Sequence, residues 1–389
     1  MTPTAARPIP PTSLGPLIVR RTPLDAIPRA AWDRLLGVTA RPTPFSRWTV
    51  QRAWWDAYGS TAHEQYLVCG KVGADQAEMV DEDIVAIVPL MHRHEVEPED
   101  AASYTPLRRP VDGTAVPPEA TAVFMAASYH ADYATILCRP EDLPEVCDAV
   151  VASLAALERA TEPWDVIDLR RLRSDDPALP ALVRALRAAG SDWTVHQEQE
   201  DVCPVVTLPD GDWDAYLATL DKKARHEIRR KVRRAEAEGP ITFRRMPLDA
   251  ASVDAFIDLH QARWGDRGLF PDTEGGLRSR RFLHRVTELE AAEGEDAQLQ
   301  LGQVLVGDRL IFAGVGFDDG ETCFFYNAGA DPDARELSPG VTGTAAYIRD
   351  RMEAGRRRFD FLRGNEPYKY EWGAVDETIE RIIVIRGDA

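Results

Sequence analysis

At 389 residues and 44% hydrophobic content, the chain is too long for one ordinary core and suits two domains. A net charge of −18 sets the whole-protein field against nucleic acid and anionic membranes, which argues against a general polyanion binder. Five scattered cysteines with no C-x-x-C pair argue against a disulfide framework or structural zinc and for a reduced, cytoplasmic protein; no apolar run has membrane-spanning length.

Residues 1–17, with Pro3, Pro8, Pro10, Pro11 and Pro16, read as a loose, disordered tail rather than a signal peptide. A Trp-rich amphipathic helix is expected from Ser46 to Tyr58, closed by Gly59, then strands Glu64 to Val72 and Ile84 to Met91 joined by an acidic turn. A strand at 122–126, a helix from about Glu141 to Arg159 and a strand at 164–169 make a strand-helix-strand unit. The helix from Pro177 to Ala189 stops at Gly190, and the domain boundary is placed near residue 200.

The second half opens with a strand from Val202 to Leu208. One long helix, Trp213 to Glu238, follows, with Leu217, Leu220, Ala224, Ile228 and Ala235 as its apolar stripe and Gly239-Pro240 as its stop. Its segment from Asp221 to Arg234 holds eight Lys and Arg residues. Helices at 252–264 and 276–289 precede strands 298–306 and 309–317, which form a hairpin about Gly307-Asp308. A second strand-helix-strand unit then runs from strand 321–327 through a helix starting at Ser338 to strand 358–363. The two units share one grammar, so tandem α/β (α+β) domains are expected, each a mixed central sheet flanked by helices. The predicted division is 18–200 and 201–389.

The start of the second helix carries the chemistry. Ser338 is the expected N-cap, Pro339 has no N–H to lose, and Gly340 allows close approach of a ligand. Free amides at residues 340 to 342, with the helix dipole, attract a pyrophosphate without a basic side chain. The first unit's helix opens instead on Pro140-Glu141-Asp142, whose carboxylates repel phosphate, so the cofactor is placed in the C-terminal half. The competing reading of 338–342 is an ordinary capped helix. The loop Gly364 to Gly373 gathers Glu366, Tyr368 and Lys369; read blandly, it is a surface turn held by a Lys-Glu pair.

The order of Ser338-Pro339-Gly340, Phe359-Asp360-Phe361, Gly364 and Tyr368-Lys369…Trp372-Gly373 resembles the GNAT acetyltransferases of the CelD/FemAB-like group. Pro44-Phe45, Val88-Pro89-Leu90, Asp132-Tyr133, Trp164-Asp165, Lys223, Arg225 and Arg229-Arg230 extend the likeness across roughly residues 18 to 386. The resemblance implies two GNAT-like domains, the N-terminal one degenerate and on the acceptor side. It also implies acetyl-CoA or a related acyl-CoA as donor and an amine as acceptor, from a small molecule or a cell-envelope precursor. One departure is that the Arg/Gln-x-x-Gly-x-Gly/Ala loop of single-domain relatives is missing, with Ser-Pro-Gly-Val in its place.

On this reading Tyr326, Asn327, Ser338, Gly340, Val341 and Thr342 hold the donor. Glu366 is the base or acceptor anchor, Tyr368 the acid for the leaving thiolate, and Lys369 a ligand for an anionic acceptor. Lys222, Arg225 and Arg229, with His260, Arg263 and Trp264 on one helical face, line the acceptor side; the bland alternatives are a solvated basic face and a core histidine. No metal is expected, because the histidines lack ligand spacing. Two other functions stay open. One is an aminoacyl-tRNA-dependent transferase of the peptidoglycan-bridge (FemABX) type, the only reading with an RNA partner; the other is a non-catalytic module that binds a ligand through a GNAT-like fold.

Overall fold

The structure, a computed structural model, describes residues 12–14, 17–71, 81–93, 121–157, 164–189 and 193–386. The chain divides into two compact units, Met1–Glu200 with Thr378–Ala389 and Asp201–Glu377. Residues 378–389, expected with the C-terminal domain, thus cluster with the first unit. Of the expected tail, Thr12–Leu14 form a strand paired with Leu17–Arg21. The rest of that tail, the acidic turn after Lys71, the helix end at Arg159 and the stop at Gly190 lie outside the described residues.

The first unit contains β1 (Thr12–Leu14), β2 (Leu17–Arg21), α1 (Arg29–Leu36), α2 (Trp48–Tyr58), β3 (His63–Glu64), β4 (Leu67–Lys71), β5 (Ile84–Val88) and β6 (Leu90–Arg93). Next come β7 (Ala122–Met125), β8 (Leu137–Cys138), α3 (Leu143–Leu157), β9 (Val166–Arg173) and α4 (Ala178–Ala189). The run expected as one strand from Ile84 to Met91 breaks at Pro89, which has no N–H for a ladder. Strands β1-β2-β4-β5-β8 make one antiparallel sheet, and β9-β7-β6-β3 belong to a second, in which β7 and β9 pair in parallel. The apolar stripe of α3, including Val146, Val150 and Leu154, is buried in the core with Trp164 and Ile167.

Beyond β7 the chain turns back on itself. Ala131 donates to the Ala127 carbonyl at 2.8 Å, and Ala134 then donates to Arg171 at 2.9 Å and bridges Leu172 of β9.

Strand β10 (Trp193–Thr207) is longer than the expected strand from Val202; it leaves the first unit at Glu200. The second unit continues with α5 (Trp213–Thr219), α6 (Lys222–Glu236), β11 (Ile241–Met246), α7 (Ala250–Trp264), α8 (Glu274–Ala292), β12 (Leu299–Val306), β13 (Arg309–Asp318) and β14 (Thr322–Ala330). It closes with α9 (Pro339–Glu353), β15 (Arg358–Asp360), the short α10 (Pro367–Tyr370) and β16 (Val375–Arg386), whose residues from Thr378 on belong to the first unit. The single helix expected over 213–238 is two helices. Asp221 accepts the N–H groups of Lys223 and Ala224 at 2.8 and 3.1 Å, and this cap starts a new helix. Strands β11 and β16 were not expected.

The second unit's sheet runs β11-β12-β13-β14-β15-β10, antiparallel except at β14–β15. The hairpin turns at Gly307-Asp308 as read from sequence, with Val306 opposite Arg309. Its core gathers Tyr216, Leu217, Ile228, Phe312, Phe325, Tyr347, Ile348, Phe359 and Trp372.

In the first unit, Arg170 and Arg381 both hold Asp168, which is 2% exposed, the latter at 2.8 and 2.9 Å. Burial pushes the carboxyl up, but the two guanidiniums outweigh it and hold the group below the usual carboxylate range. Asp168→Ala is expected to cost about 3–5 kcal/mol, because it takes the shared carboxylate from two buried cations and leaves them the more distant Glu200 and Glu198, at 3.9 and 3.3 Å. Urea unfolding of the variant checks this, and a loss below about 1 kcal/mol contradicts it.

Candidate functional site

Strands β14 and β15 run parallel over only three pairs, Thr322↔Arg358, Cys323↔Phe359 and Phe324↔Asp360. Strand β14 then continues to Ala330 while β15 ends, so the strands part at their carboxyl ends, where α/β sheets place ligands. Tyr326 and Asn327 lie half-buried on this stretch. Tyr326 packs edge-on to Phe317 at 6.3 Å, and Asn327 Oδ1 accepts the Ala328 N–H at 2.8 Å.

Ser338 stands at the head of α9 as expected, but in the left-handed conformation, φ 50°, ψ 57°, with no capping bond from its side chain. Its carbonyl accepts both Val341 and Thr342 N–H at 2.9 Å. Two of the three amides expected to be free are therefore spent. Thr342 is buried, its hydroxyl donating to the Leu337 carbonyl at 2.7 Å, and faces no ligand. Gly340 is exposed, its N–H has no partner among the described residues, and a Cβ there would meet nothing within 4 Å. The turn keeps an open mouth with one free amide.

Two arginines lie at this turn. Arg234, in the last turn of α6, donates from Nη2 to Ser338 Oγ at 2.5 Å. Arg335, just before the turn, is exposed and has no recorded partner among the described residues. The sequence reading had assigned no basic side chain to this turn. Arg335 carried a signal. Arg335-Glu-Leu-Ser338-Pro-Gly340 is the Arg-x-x-Gly-x-Gly pattern with Ser at the first Gly, and Ser338 adopts the backbone shape that Gly takes cheaply.

Two of the three α6 residues singled out earlier are engaged elsewhere. Arg225 donates to the Ala218 carbonyl at 3.3 Å, Arg229 pairs with Asp214 at 2.8 Å, and Lys222 is exposed; no recorded contact joins them to the turn at Ser338.

Helix α7 lies directly on β14. A Cβ on Gly329 would come within 2.4 Å of the His260 backbone nitrogen, so only glycine permits this approach. His260 is 2% exposed among Phe256, Phe270 and Trp264, and burial lowers it to about 4 against a bond to Asn327 that raises it. It is a neutral, packed residue at neutral pH and not a free face of the cleft. Trp264, one turn on, is half exposed; its Nε1–H donates to the Ala328 carbonyl at 3.0 Å, and Arg263 stacks on its ring at 4.7 Å. His260, Trp264, Asn327 and Ala328 thus form one cluster.

The loop after β15 is built around Lys369. Its buried ammonium donates to the carbonyls of Leu362, Arg363 and Gly364 at 3.0, 2.8 and 2.9 Å and lies 2.9 Å from the Glu366 carboxylate. All three donors are used inside the loop, so Lys369 positions it and has none left for an acceptor anion. Asp360 holds the other side by accepting the Leu362 N–H at 2.7 Å. Glu366 is exposed. Tyr368 stands edge-on to Phe361 at 6.0 Å, and desolvation, then the Glu366 carboxylate, push its phenol up to about 12. Among the described residues, no three His, Cys, Asp or Glu side chains come together as a metal set.

Residues 222–370 match the acetyltransferase (GNAT) domain family. Among solved structures the chain is similar to FemX, with 12% identity over 92% of this chain and 96% of that one and a TM-score of 0.58. It is also similar to a conserved protein from Bacteroides thetaiotaomicron (13%, 92% and 98%, TM-score 0.53) and to L-PGS from Bacillus licheniformis (10%, 93% and 93%, TM-score 0.50). At these identities the likeness is one of fold. No curated protein matches the sequence.

Lys369→Met is expected to cost about 2–4 kcal/mol, since three carbonyls lose a charged donor. It should also speed amide exchange across residues 362–369. Unchanged exchange there contradicts the positioning role.

Proposed function

We propose that this chain, a member of the GNAT superfamily through its 222–370 domain with a fold shared with FemX, transfers an acyl group from acetyl-CoA or a related acyl-CoA to an amine. The observation that carries the reading is the turn at Ser338: a helix start with open space at Gly340, flanked by Arg234 and Arg335. Guanidiniums suit phosphate oxygens, and the free Gly340 N–H supplies an uncharged donor beside them. These residues fit a diphosphate, although mostly by side-chain charge.

Bound there, acyl-CoA supplies an activated thioester. The chain's part is to orient the reactants and move protons. On this reading Tyr368, protonated across the physiological range, donates to a leaving thiolate, and Glu366 accepts the amine's proton or anchors the amine. The acceptor class is an amine of a small molecule or cell-envelope precursor. No helix among the described residues is long and apolar enough to cross a membrane, and a cytoplasmic location is part of the proposal.

A second reading, an aminoacyl-tRNA-dependent transferase of the peptidoglycan-bridge type, draws on the fold shared with FemX and on Lys222 and Lys223, exposed and with no acidic partner among the described residues. RNA would bind through such charges with a steep salt dependence.

Calorimetry with CoA separates the two. Arg234→Ala and Gly340→Asp are each expected to weaken CoA binding about 10- to 100-fold, by loss of a charge-assisted bond or by a carboxylate set against the diphosphate. Equal affinity in all three proteins, or binding of aminoacyl-tRNA alone, contradicts the acyl-CoA reading.

A further inference from the structure

The ladder register decides which way Ala328 faces. Asp331 donates its N–H to the Ile311 carbonyl at 2.9 Å, so these residues form a hydrogen-bonded antiparallel pair. The pairs alternate onward through Phe312↔Ala330, Ala313↔Gly329 and Gly314↔Ala328. Ala328 therefore turns both its N–H and its C=O away from β13. On its other side β15 pairs only with residues 322–324, so no strand meets these groups.

Two side chains meet them instead. The indole N–H of Trp264 donates to the Ala328 carbonyl at 3.0 Å, and Asn327 Oδ1 accepts the Ala328 N–H at 2.8 Å. A donor and an acceptor presented side by side to a bare strand edge are what a secondary amide offers when it pairs there.

We propose that Trp264 and Asn327 form a gate: they hold shut the edge of β14 on which an amide-bearing donor arm docks, and Trp264 must leave Ala328 before that arm binds. The proposal rests on the acyl-CoA reading, the pantetheine of CoA being the amide-bearing arm. Geometry favours Trp264 as the moving part. It ends its helix and is 39% exposed, whereas His260, one turn earlier, is packed at 2%. Asn327 is fixed by its own strand. An aminoacyl ester has no such amide arm to displace the indole, so the gate selects among donor classes.

A closed gate lowers apparent affinity by the fraction of open molecules, so removing its hydrogen bond should tighten binding. Trp264→Phe keeps an aromatic ring and loses only the N–H and part of the ring area. Titrated with CoA itself, which cannot turn over, this variant is expected to bind about three- to tenfold tighter than the wild type, the worth of one net hydrogen bond. In the wild type, CoA should shift the tryptophan emission as Trp264 leaves its carbonyl, and the shift should vanish in Trp264→Phe. If both proteins bind CoA equally and with the same emission change, the gate is wrong and the donor reading stands. CoA that binds neither protein overturns the donor reading and the gate with it.

Discussion

The constraint on which the second unit depends is the shortness of one parallel ladder. Strands β14 and β15 pair across three residues and part, and every backbone group on β14 beyond Phe324 that faces the gap must be satisfied by something other than a strand. At Ala328 a tryptophan and an asparagine satisfy them; in the first unit, returning backbone at Ala134 spans the equivalent gap. Returning chain meets these groups in one unit and side chains meet them in the other.

Around the gap, rigid parts fix what must not move. Gly329 lets α7 lie against β14, which puts Trp264 within reach of Ala328. Lys369 and Asp360 clamp the loop after β15 from both sides, and Tyr368 rides on it. The left-handed Ser338 aims the start of α9 and brings it under Arg234. Conformational strain of roughly 1–3 kcal/mol at such a residue persists only where its surroundings hold it.

Much of this could be read from the sequence. The strand-helix-strand grammar, the Gly307-Asp308 hairpin and the helix start at Ser338-Pro339 followed from apolar period and from proline and glycine placement. The parallel ladders at β7–β9 and β14–β15 bear out the crossover argument. What escaped was conformational or long-range. A serine at positive φ is not announced by its identity, so the capture of the Val341 and Thr342 amides by one carbonyl was invisible. The basic helix was noticed for its charge, yet which arginine meets the turn depends on how α6 packs, and that singles out Arg234 rather than Arg225 or Arg229. The helix break at Asp221 was a legible cap signal overridden by a continuous apolar stripe. Strand β16, rich in isoleucine, was legible too, but its clustering with the first unit was not.

The central claim is that Gly340 offers its one free amide to a diphosphate. Amide hydrogen exchange at Gly340, measured with and without saturating CoA, tests it most directly. The account predicts fast exchange in the free protein and at least tenfold slowing with CoA. Exchange at Gly340 that stays unchanged while CoA is bound would contradict it.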